Sequence, residues 1–398
     1  MINVDRNRNK ILFVADGVPS YGYKVYYLKA KNNSSSTGSN ITSGNTIENE
    51  YFKVTVDPDS GWIKSIYDKK NGKEILAGEG NRLQLLEDKP TAWDAWNIGW
   101  TGVEFPMTFR KIELKENGPV RTVLSVYHDY LKKGVVKDFP TPNFPSSFFR
   151  EDIILYNGID RIDFLTDVDW WEDKTMLKVE FPLAVKDTEA TYESPYGTIQ
   201  RSTQRNNSWN KAIYEVSAIR WADVSNNGYG VSLLNNSKYG HDVKNNVMRL
   251  SLLRSPKWPD PTADRGEHEI KYSLYPHNGD WKEANTVNMG YNFNYTLIPV
   301  ITDVHTGTLP AVYSFVKINA PNLILTTFKK AEADDAYIFQ WYESAGKDTE
   351  AEIAFPDTPV KVFKSNFLEE SGEALKFKGK KLKISTPKNS VITLKVYF

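Results

Sequence analysis

A loop crowded with charged side chains is the first candidate for chemistry in this sequence. Residues 254–269 read RSPKWPDPTADRGEHE, and Asp264, Arg265, Glu267 and His268 fall within a few consecutive positions. Its three prolines and one glycine disfavour any continuous strand or helix, so we expect a surface loop in which the charged groups stay hydrated. These groups can exchange hydrogen bonds with the hydroxyls of a ligand. In the alternative interpretation, which stays open, Asp264 and Arg265 only pair with each other.

His277 is a second candidate, between Tyr275-Pro276 and Asn278-Gly279. Histidine changes its charge near neutral pH and can therefore act as an acid or a base. The favoured interpretation is structural, namely a histidine at a strand end that is hydrogen-bonded to backbone.

Trp93, Asp94 and Trp96 form a third candidate, a carboxylate between two large rings. Such rings can form a platform for the apolar face of a cyclic ligand. Successive side chains of a strand point to opposite faces, however, so two residues three positions apart do not share a face. The spacing therefore favours a core position for at least one of the two tryptophans.

Composition limits the partners of the chain. It has 398 residues, enough for two or three domains, and Lys plus Arg equals Asp plus Glu at 50 each. Without a net positive field or a basic run we expect no nucleic-acid partner. No apolar stretch is long enough to span a bilayer and the first residues lack the apolar core of a signal peptide, so we expect a cytoplasmic protein with no membrane partner. There is no Cys, and five His leave few ligands for a metal site.

The elements that must position these candidates are predicted to be strands. Phe52, Val54 and Val56 alternate with polar residues, and so do Ile392 and Leu394 near the other end. Asn-Gly pairs, which suit tight hairpins, occur at 71–72, 117–118, 157–158, 227–228 and 278–279. The pattern predicts an all-β fold of antiparallel sheets packed as sandwiches.

The same pattern suggests four parts. We predict an N-terminal β segment at 1–30, a flexible linker at 31–45, a large β-sandwich at 46–312 and a small C-terminal β-domain at 313–398. The linker prediction rests on the run KNNSSSTGSN, which is small, polar and aperiodic.

Several segments, in order along nearly the whole chain, resemble the C-terminal half of family 38 α-mannosidases. Besides the loop 254–269 they are VPSYGY (18–23), NEYFKV (49–54), NRLQL (81–85), WDAWN (93–97), IRWAD (219–223), GYGVSLLN (228–235), KYGHD (238–242) and KKAE (329–332). The resemblance implies a large mutarotase-like β-sandwich followed by a small β-domain, in agreement with the alternating pattern.

Family 38 enzymes hydrolyse α-mannosides with retention, using a zinc ion and an Asp nucleophile held by an N-terminal domain. Their His-x-Asp and His-His-Asp motifs are absent from this sequence. The resemblance therefore carries over no catalytic or metal-binding residue, and we expect no cofactor in this chain and no activity from it alone.

The resulting hypothesis is a non-catalytic C-terminal portion that supports a catalytic domain or subunit and through it meets the α-mannoside. The residues expected near the rim of the sugar site are Asp264, Arg265, Glu267, His268, His277, Trp93, Asp94 and Trp96.

Two other functions stay open. A free-standing carbohydrate-binding module would use exposed aromatic residues as its binding face. An aldose epimerase shares the sandwich fold but needs an acid and a base on either side of one sugar carbon, which here means His277 or His241 with Glu193. No local sign of such a pair is present, so the epimerase ranks last.

Overall fold

The structure is a computed structural model that describes residues 2–5, 10–29, 44–131 and 145–398. For residues 2–5, 10, 145 and 146 it describes the backbone alone. The predicted linker at 31–45 lies, except for its last two residues, outside the described residues and stays a prediction.

Strands dominate the described chain. In chain order, the strands as far as the middle of the sequence are β1 (Ile2–Asp5), β2 (Lys10–Phe13), β3 (Gly22–Lys24), β4 (Thr46–Glu48), β5 (Phe52–Val56), β6 (Ile63–Asp68), β7 (Lys73–Glu74), β8 (Arg82–Asp88), β9 (Trp100–Phe105), β10 (Thr108–Asn117), β11 (Arg121–Leu131), β12 (Pro145–Tyr156), β13 (Ile162–Trp170), β14 (Thr175–Pro182), β15 (Glu189–Ser194) and β16 (Gly197–Ser202). They are followed by α1 (Ser208–Ala212), β17 (Val216–Ser217), β18 (Trp221–Asn226), β19 (Tyr229–Asn235), β20 (Gly240–Lys244), β21 (Val247–Arg254), β22 (Gly266–Asn278), α2 (Thr286–Asn294), β23 (Val312–Ser314), β24 (Lys317–Ile318), β25 (Leu323–Lys330), β26 (Tyr337–Glu343), β27 (Thr349–Ala354), β28 (Lys361–Ser365), β29 (Lys381–Thr386) and β30 (Val391–Tyr397). No helix in these ranges is long and apolar enough to cross a membrane.

The larger body is built on a nine-stranded and a six-stranded antiparallel sheet. The first has the order β10-β11-β12-β13-β22-β19-β18-β15-β16 and the second the order β17-β20-β21-β14-β8-β9. A four-stranded sheet, β4 to β7, packs on the same core. Alternation explains how each strand contributes: in β13, every second residue from Ile162 to Trp170 is buried, while the residues between them are partly exposed.

The smaller body is a second pair of sheets. A three-stranded sheet of order β24-β27-β29 and a four-stranded sheet of order β25-β26-β30-β28 share a core around Phe339 and Trp341. The predicted all-β fold, a large antiparallel sandwich and a small C-terminal β-domain, is confirmed.

The two bodies meet through a separate apolar cluster. Trp221 and Trp281 from the larger body lie with their ring centroids 5.2 Å apart, and Ile324 and Tyr342 of the smaller body belong to the same cluster. Near this junction the N-terminal strand β3 pairs with β23, which begins the C-terminal part.

One predicted hairpin shows how the sequence selects its turns. Asn227 and Gly228 join β18 to β19 with φ values of 52° and 76°. A two-residue hairpin with positive φ at both positions needs residues that tolerate the left-handed region, and Asn-Gly is the pair that does so most readily.

Candidate functional site

Three loops meet at one end of the larger body, which we call the rim end. They are residues 89–99 between β8 and β9, 171–174 between β13 and β14, and 255–265 between β21 and β22. Side-chain contacts between loops distant in sequence hold this end together.

Arg254, the last residue of β21, anchors the rim end. Its Nε donates to Asp88 Oδ2 at 2.6 Å, its Nη1 to the carbonyl oxygen of Ala95 at 3.2 Å, and its Nη2 to the carbonyl oxygen of Asn97. Asp88 is only 3% exposed, so this charged pair is largely shielded from water. One guanidinium therefore fixes loop 89–99 against loop 255–265.

Asp173 is the second link between the loops. Its carboxylate accepts from Lys257 Nζ at 2.7 Å and from Arg265 Nη2 at 2.8 and 2.9 Å. Burial alone would raise the pKa of Asp173, but the hydrogen bonds from Lys257 and Arg265 outweigh it and lower that pKa. The interpretation in which Arg265 pairs with Asp264 is wrong, because its guanidinium reaches across to a different loop.

The other charged residues of the predicted loop have separate roles. Asp264 adopts a φ of 61°, and its Oδ2 accepts from the backbone N–H of Arg254 at 3.3 Å. The carbonyl oxygen of Asp264 lies 2.8 Å from His268 Nε2, which closes the turn into β22. Glu267 is exposed to solvent. Asp264 thus shapes the loop, whereas Glu267 stays accessible to a ligand.

Trp93, Trp96 and Trp258, here called the tryptophan cluster, lie together on the surface. The Trp93 and Trp258 rings are 5.1 Å apart between centroids, and those of Trp96 and Trp258 are 5.4 Å apart. Their exposed fractions are 60%, 66% and 48% in sequence order. The preference for a core position of Trp93 or Trp96 is therefore wrong.

The error comes from assuming that the segment from Trp93 to Trp96 is a strand. The N–H groups of Trp96 and Asn97 both donate to the carbonyl oxygen of Trp93 at 2.9 Å, so this segment is a turn and not a strand. A turn brings residues three apart to the same side. Asp94 beneath them accepts from the backbone N–H of Lys257 at 3.3 Å and ties the turn to loop 255–265.

His277 does not belong to this group. It lies near the far end of β22, nine residues beyond His268, which at the rise of a strand places it roughly 30 Å from the rim end. Its Nε2 is 2.9 Å from Asp223 Oδ2 and 3.2 Å from Ser232 Oγ, and its side chain is buried. The predicted bond to backbone is thus replaced by a side-chain network, and His277 is separated from the residues it was grouped with.

The chemistry available at the rim end is recognition. It presents aromatic faces, an arginine, a lysine and carboxylates at fixed positions, which suits stacking and hydrogen bonding to a polar ring. Among the described residues, no three or more His, Asp or Glu are placed so that they could hold a metal ion.

Sequence reasoning missed Asp88 and the anchoring role of Arg254. The two residues are 166 positions apart, and nothing in a single sequence marks such a pair. Trp258 belongs to loop 254–269, whose prolines predict a surface position for it, but its contact with Trp93 and Trp96 is long-range and has no signal in the sequence.

The fold and the rim end define the class: an all-β protein of antiparallel sheets with aromatic loops at one end. Residues 47–262 match the profile of the glycosyl hydrolases family 38 C-terminal domain, and residues 322–397 match that of the family 38 C-terminal beta sandwich domain. The chain belongs to glycosyl hydrolase family 38, and corresponds to the C-terminal region of its α-mannosidases.

Similar curated proteins agree with this family assignment. The chain is 36% identical over 307 residues to Alpha-mannosidase 2C1 of Mus musculus, covering 76% of this chain and 28% of the relative. It is 33% identical over 339 residues to Alpha-mannosidase G of Dictyostelium discoideum, covering 83% and 30%. The chain thus spans less than a third of the length of the relatives it matches.

A solved structure shows the same fold. An alpha-mannosidase from Enterococcus faecalis V583 superposes with a TM-score of 0.75 at 17% identity, over 91% of this chain and 43% of that one.

Proposed function

We propose that this chain is the non-catalytic C-terminal portion of an α-mannosidase, that it supports the catalytic domain, and that its rim end borders the sugar site. The hydrolysis itself belongs to the part of an α-mannosidase that lies outside the region matched by this chain. Zinc in family 38 supplies orientation of the sugar and stabilisation of charge, and we propose that it too is bound by that other part.

The supporting role is inferred from an exposed apolar segment that lies between the two bodies in the sequence. Ile298, Val300, Ile301 and Val304 are between 83% and 96% exposed, far more than isolated surface residues of their kind. From 296 to 309 the backbone makes no backbone hydrogen bond to any described residue. Side chains and backbone of this segment are therefore both available to a partner, and we propose the catalytic domain as that partner.

The border of the sugar site rests on the tryptophan cluster. Three rings that remain about half-exposed or more, on loops fixed by Arg254 and Asp173, resemble the rigid aromatic surfaces that stack on the apolar face of a pyranose. Arg265 and Glu267, which follow Trp258 in the chain, would donate to and accept from sugar hydroxyls.

A chimera tests both parts of the proposal. In the mouse α-mannosidase 2C1, the matching region is replaced by this chain, and hydrolysis of an aryl α-mannoside is measured. We expect activity from the chimera, and neither activity nor a stoichiometric zinc ion from this chain alone. Trp96→Ala in the chimera should raise KM with little change in thermal stability, because the ring is exposed.

Matched substitutions isolate the apolar segment. Ile298→Asp with Ile301→Asp removes two side chains whose burial contributes about 1.5–3 kcal/mol each, so the chimera should lose its activity or its stability. Val360→Asp with Leu368→Asp, at exposed apolar positions of the smaller body, should have no such effect. The proposal fails if the mouse enzyme with this region deleted stays stable and active, or if both double variants behave alike.

A free-standing carbohydrate-binding module is the second candidate, favoured by the same exposed tryptophans. It predicts that the chain alone binds oligomannosides and that Trp96→Ala abolishes the binding, whereas a rim needs the catalytic domain to complete its site. An aldose epimerase is disfavoured, because His241 is fully buried and the Glu193 carboxylate is held by Arg220 at 2.5 Å.

A further inference from the structure

A second candidate site lies away from the rim end, on the outer face of the six-stranded sheet. Lys178 in β14 is flanked by Leu177 and Val179, which are part of the core between the sheets, so its side chain points to the opposite face. That face carries a cleft of about 480 Å³, within the range of roughly 300–1,000 Å³ typical of small-molecule sites. We call it the charged cleft; Gln84, Trp100, Lys211, Tyr214, Lys244 and Arg249 are among its lining residues.

The floor of the charged cleft is an ion-pair network whose central pair, Lys178 and Asp242, is shielded from water. Lys178 Nζ lies 2.6 Å from Asp242 Oδ2 and 2.5 Å from Glu215 Oε2, and Lys178 and Asp242 are 0% and 2% exposed. Removing a charge from water is unfavourable, and an apolar pair of similar volume would often be as stable. Stability alone therefore does not account for the network. Its effect is to fix charged groups in place beneath the cleft.

Hydrogen-bonding capacity remains on this floor. Arg249 Nε donates to Asp242 Oδ1 at 3.0 Å, and its Nη1 is 3.4 Å from Gln84 Oε1. Its Nη2 makes no hydrogen bond to any residue in the described ranges. Gln84 Nε2 donates to Glu104 Oε2 at 3.2 Å and keeps a second N–H. Because Arg249 and Gln84 are held in place by their neighbours, the remaining donors are presented to the cleft without a large loss of side-chain entropy on binding.

Two aromatic residues line the cleft. Trp100 at the start of β9 is 36% exposed and Tyr214 after α1 is 41% exposed, so part of each side chain remains accessible there. Aromatic rings stack on the C–H face of a cyclic polyol.

The rim of the cleft is positively charged. Lys211 and Lys244 are exposed and form no ion pair with a residue that the structure describes. The two acidic residues of the lining are already paired, Glu104 with Arg82 at 2.5 Å and Asp242 with Lys178. The lysines are therefore uncompensated charges that attract an anion.

We propose that the charged cleft binds an acidic monosaccharide, a sugar ring that carries a phosphate or a carboxylate. The ring lies against Trp100 and Tyr214, its hydroxyls bond to Arg249 and Gln84, and its anionic group faces Lys211 and Lys244. This site needs no catalytic domain, so it does not rest on the function proposed above and is tested on the chain as it stands.

Calorimetry with four probes tests the site: mannose 6-phosphate, glucuronate, methyl α-mannoside and inorganic phosphate. We expect at least one acidic sugar to bind with a Kd of about 1 mM or tighter, and methyl α-mannoside and phosphate each to bind at least about tenfold more weakly. The two acidic sugars separate a phosphate site from a carboxylate site. Rising salt should weaken the binding, since the lysines are exposed.

Substitutions tie the binding to the cleft. Lys211→Ala with Lys244→Ala should weaken the acidic sugar about tenfold or more, whereas Lys361→Ala with Lys388→Ala, at exposed lysines of the smaller body, should not. Tyr214→Ala should weaken the sugars and leave phosphate unchanged. The proposal is overturned by any one of three results: no binding of either acidic sugar at about 10 mM, equal affinity in the two double-lysine variants, or phosphate binding as tightly as the acidic sugar.

Discussion

Two ion-pair clusters of similar composition occupy opposite environments in this protein. At the floor of the charged cleft, Lys178 and Asp242 are 0% and 2% exposed. At the rim end, the side chains of Arg265 and Asp173 are 33% and 35% exposed. The comparison teaches that residue type does not decide what an ion pair contributes: in the first cluster the loss of one partner leaves a buried charge uncompensated, while the second positions a loop whose charges water already stabilises.

The largest expected effect comes from the buried cluster. Lys178→Ala leaves Asp242 and Glu215 without their shared cation and should lower the free energy of unfolding by about 3–5 kcal/mol. Urea denaturation measures this loss. Lys178→Met, which keeps the volume, should be destabilising too, and adding Asp242→Asn should recover part of the loss. A loss below about 1 kcal/mol for Lys178→Ala would contradict the view that Asp242 and Glu215 depend on Lys178 as their shared cation.

A pH dependence tests the same region through His241, the neighbour of Asp242 in β20. Burial, reinforced by the charge of Lys178, lowers the pKa of His241 to about 3 from an ordinary 6.5. The unfolded chain therefore takes up a proton below pH 6.5 that the folded chain refuses until about pH 3. Stability should fall as the pH drops through this window, by at most about 1.4 kcal/mol per pH unit.

His241→Gln is the control for this dependence. Glutamine stays neutral and can keep a hydrogen bond to Asn235, the present partner of His241 Nε2 at 3.1 Å. Urea midpoints are measured between pH 6.5 and 4.5, because Asp242, whose pKa is lowered, takes up its proton below this range. Over this range the midpoint should depend less on pH in the variant. Identical slopes in both proteins would contradict the assignment to His241.

The smallest effect is expected at the rim end. Arg265→Ala leaves Lys257 bonded to Asp173 and should change the free energy of unfolding by less than about 0.5 kcal/mol, as at other surface positions. Lys111→Ala, which removes an exposed pair with Glu113, is a matched comparison for thermal melting. If Arg265→Ala costs more than about 2 kcal/mol, the rim-end pair is a structural support, and the contrast between the two clusters disappears.

The strands were predictable because the burial of their side chains follows a local period. Phe52, Val54 and Val56 are buried as the alternation requires. In β30 the alternation also held for Leu394, but Lys395 on the opposite face is only 5% exposed, since its Nζ lies 2.7 Å from Asp334 Oδ2. Alternation of apolar and polar residues identifies a strand, but it does not show whether other residues cover the polar face.

The site was less predictable, since its contacts are long-range. The breakers in 254–269 correctly placed a loop, but its partners Asp88 and Asp173 come from other parts of the chain. Trp93 and Trp96 were assigned the wrong environment because strand geometry was assumed for a turn. His277, close to the loop in sequence, is far from it in space because β22 is thirteen residues long.

The pairing of β3 with β23 has a consequence for the order of folding. Gly22 and Ser314 are register partners, so about three quarters of the 398-residue chain must be closed into one loop before this pairing forms. Closing a loop ten times longer costs about 2 kcal/mol more in chain entropy, whereas the hairpins of the nine-stranded sheet join neighbouring segments. Strand β3 should therefore add to β23 late in folding and be among the first strands to exchange amide protons with solvent.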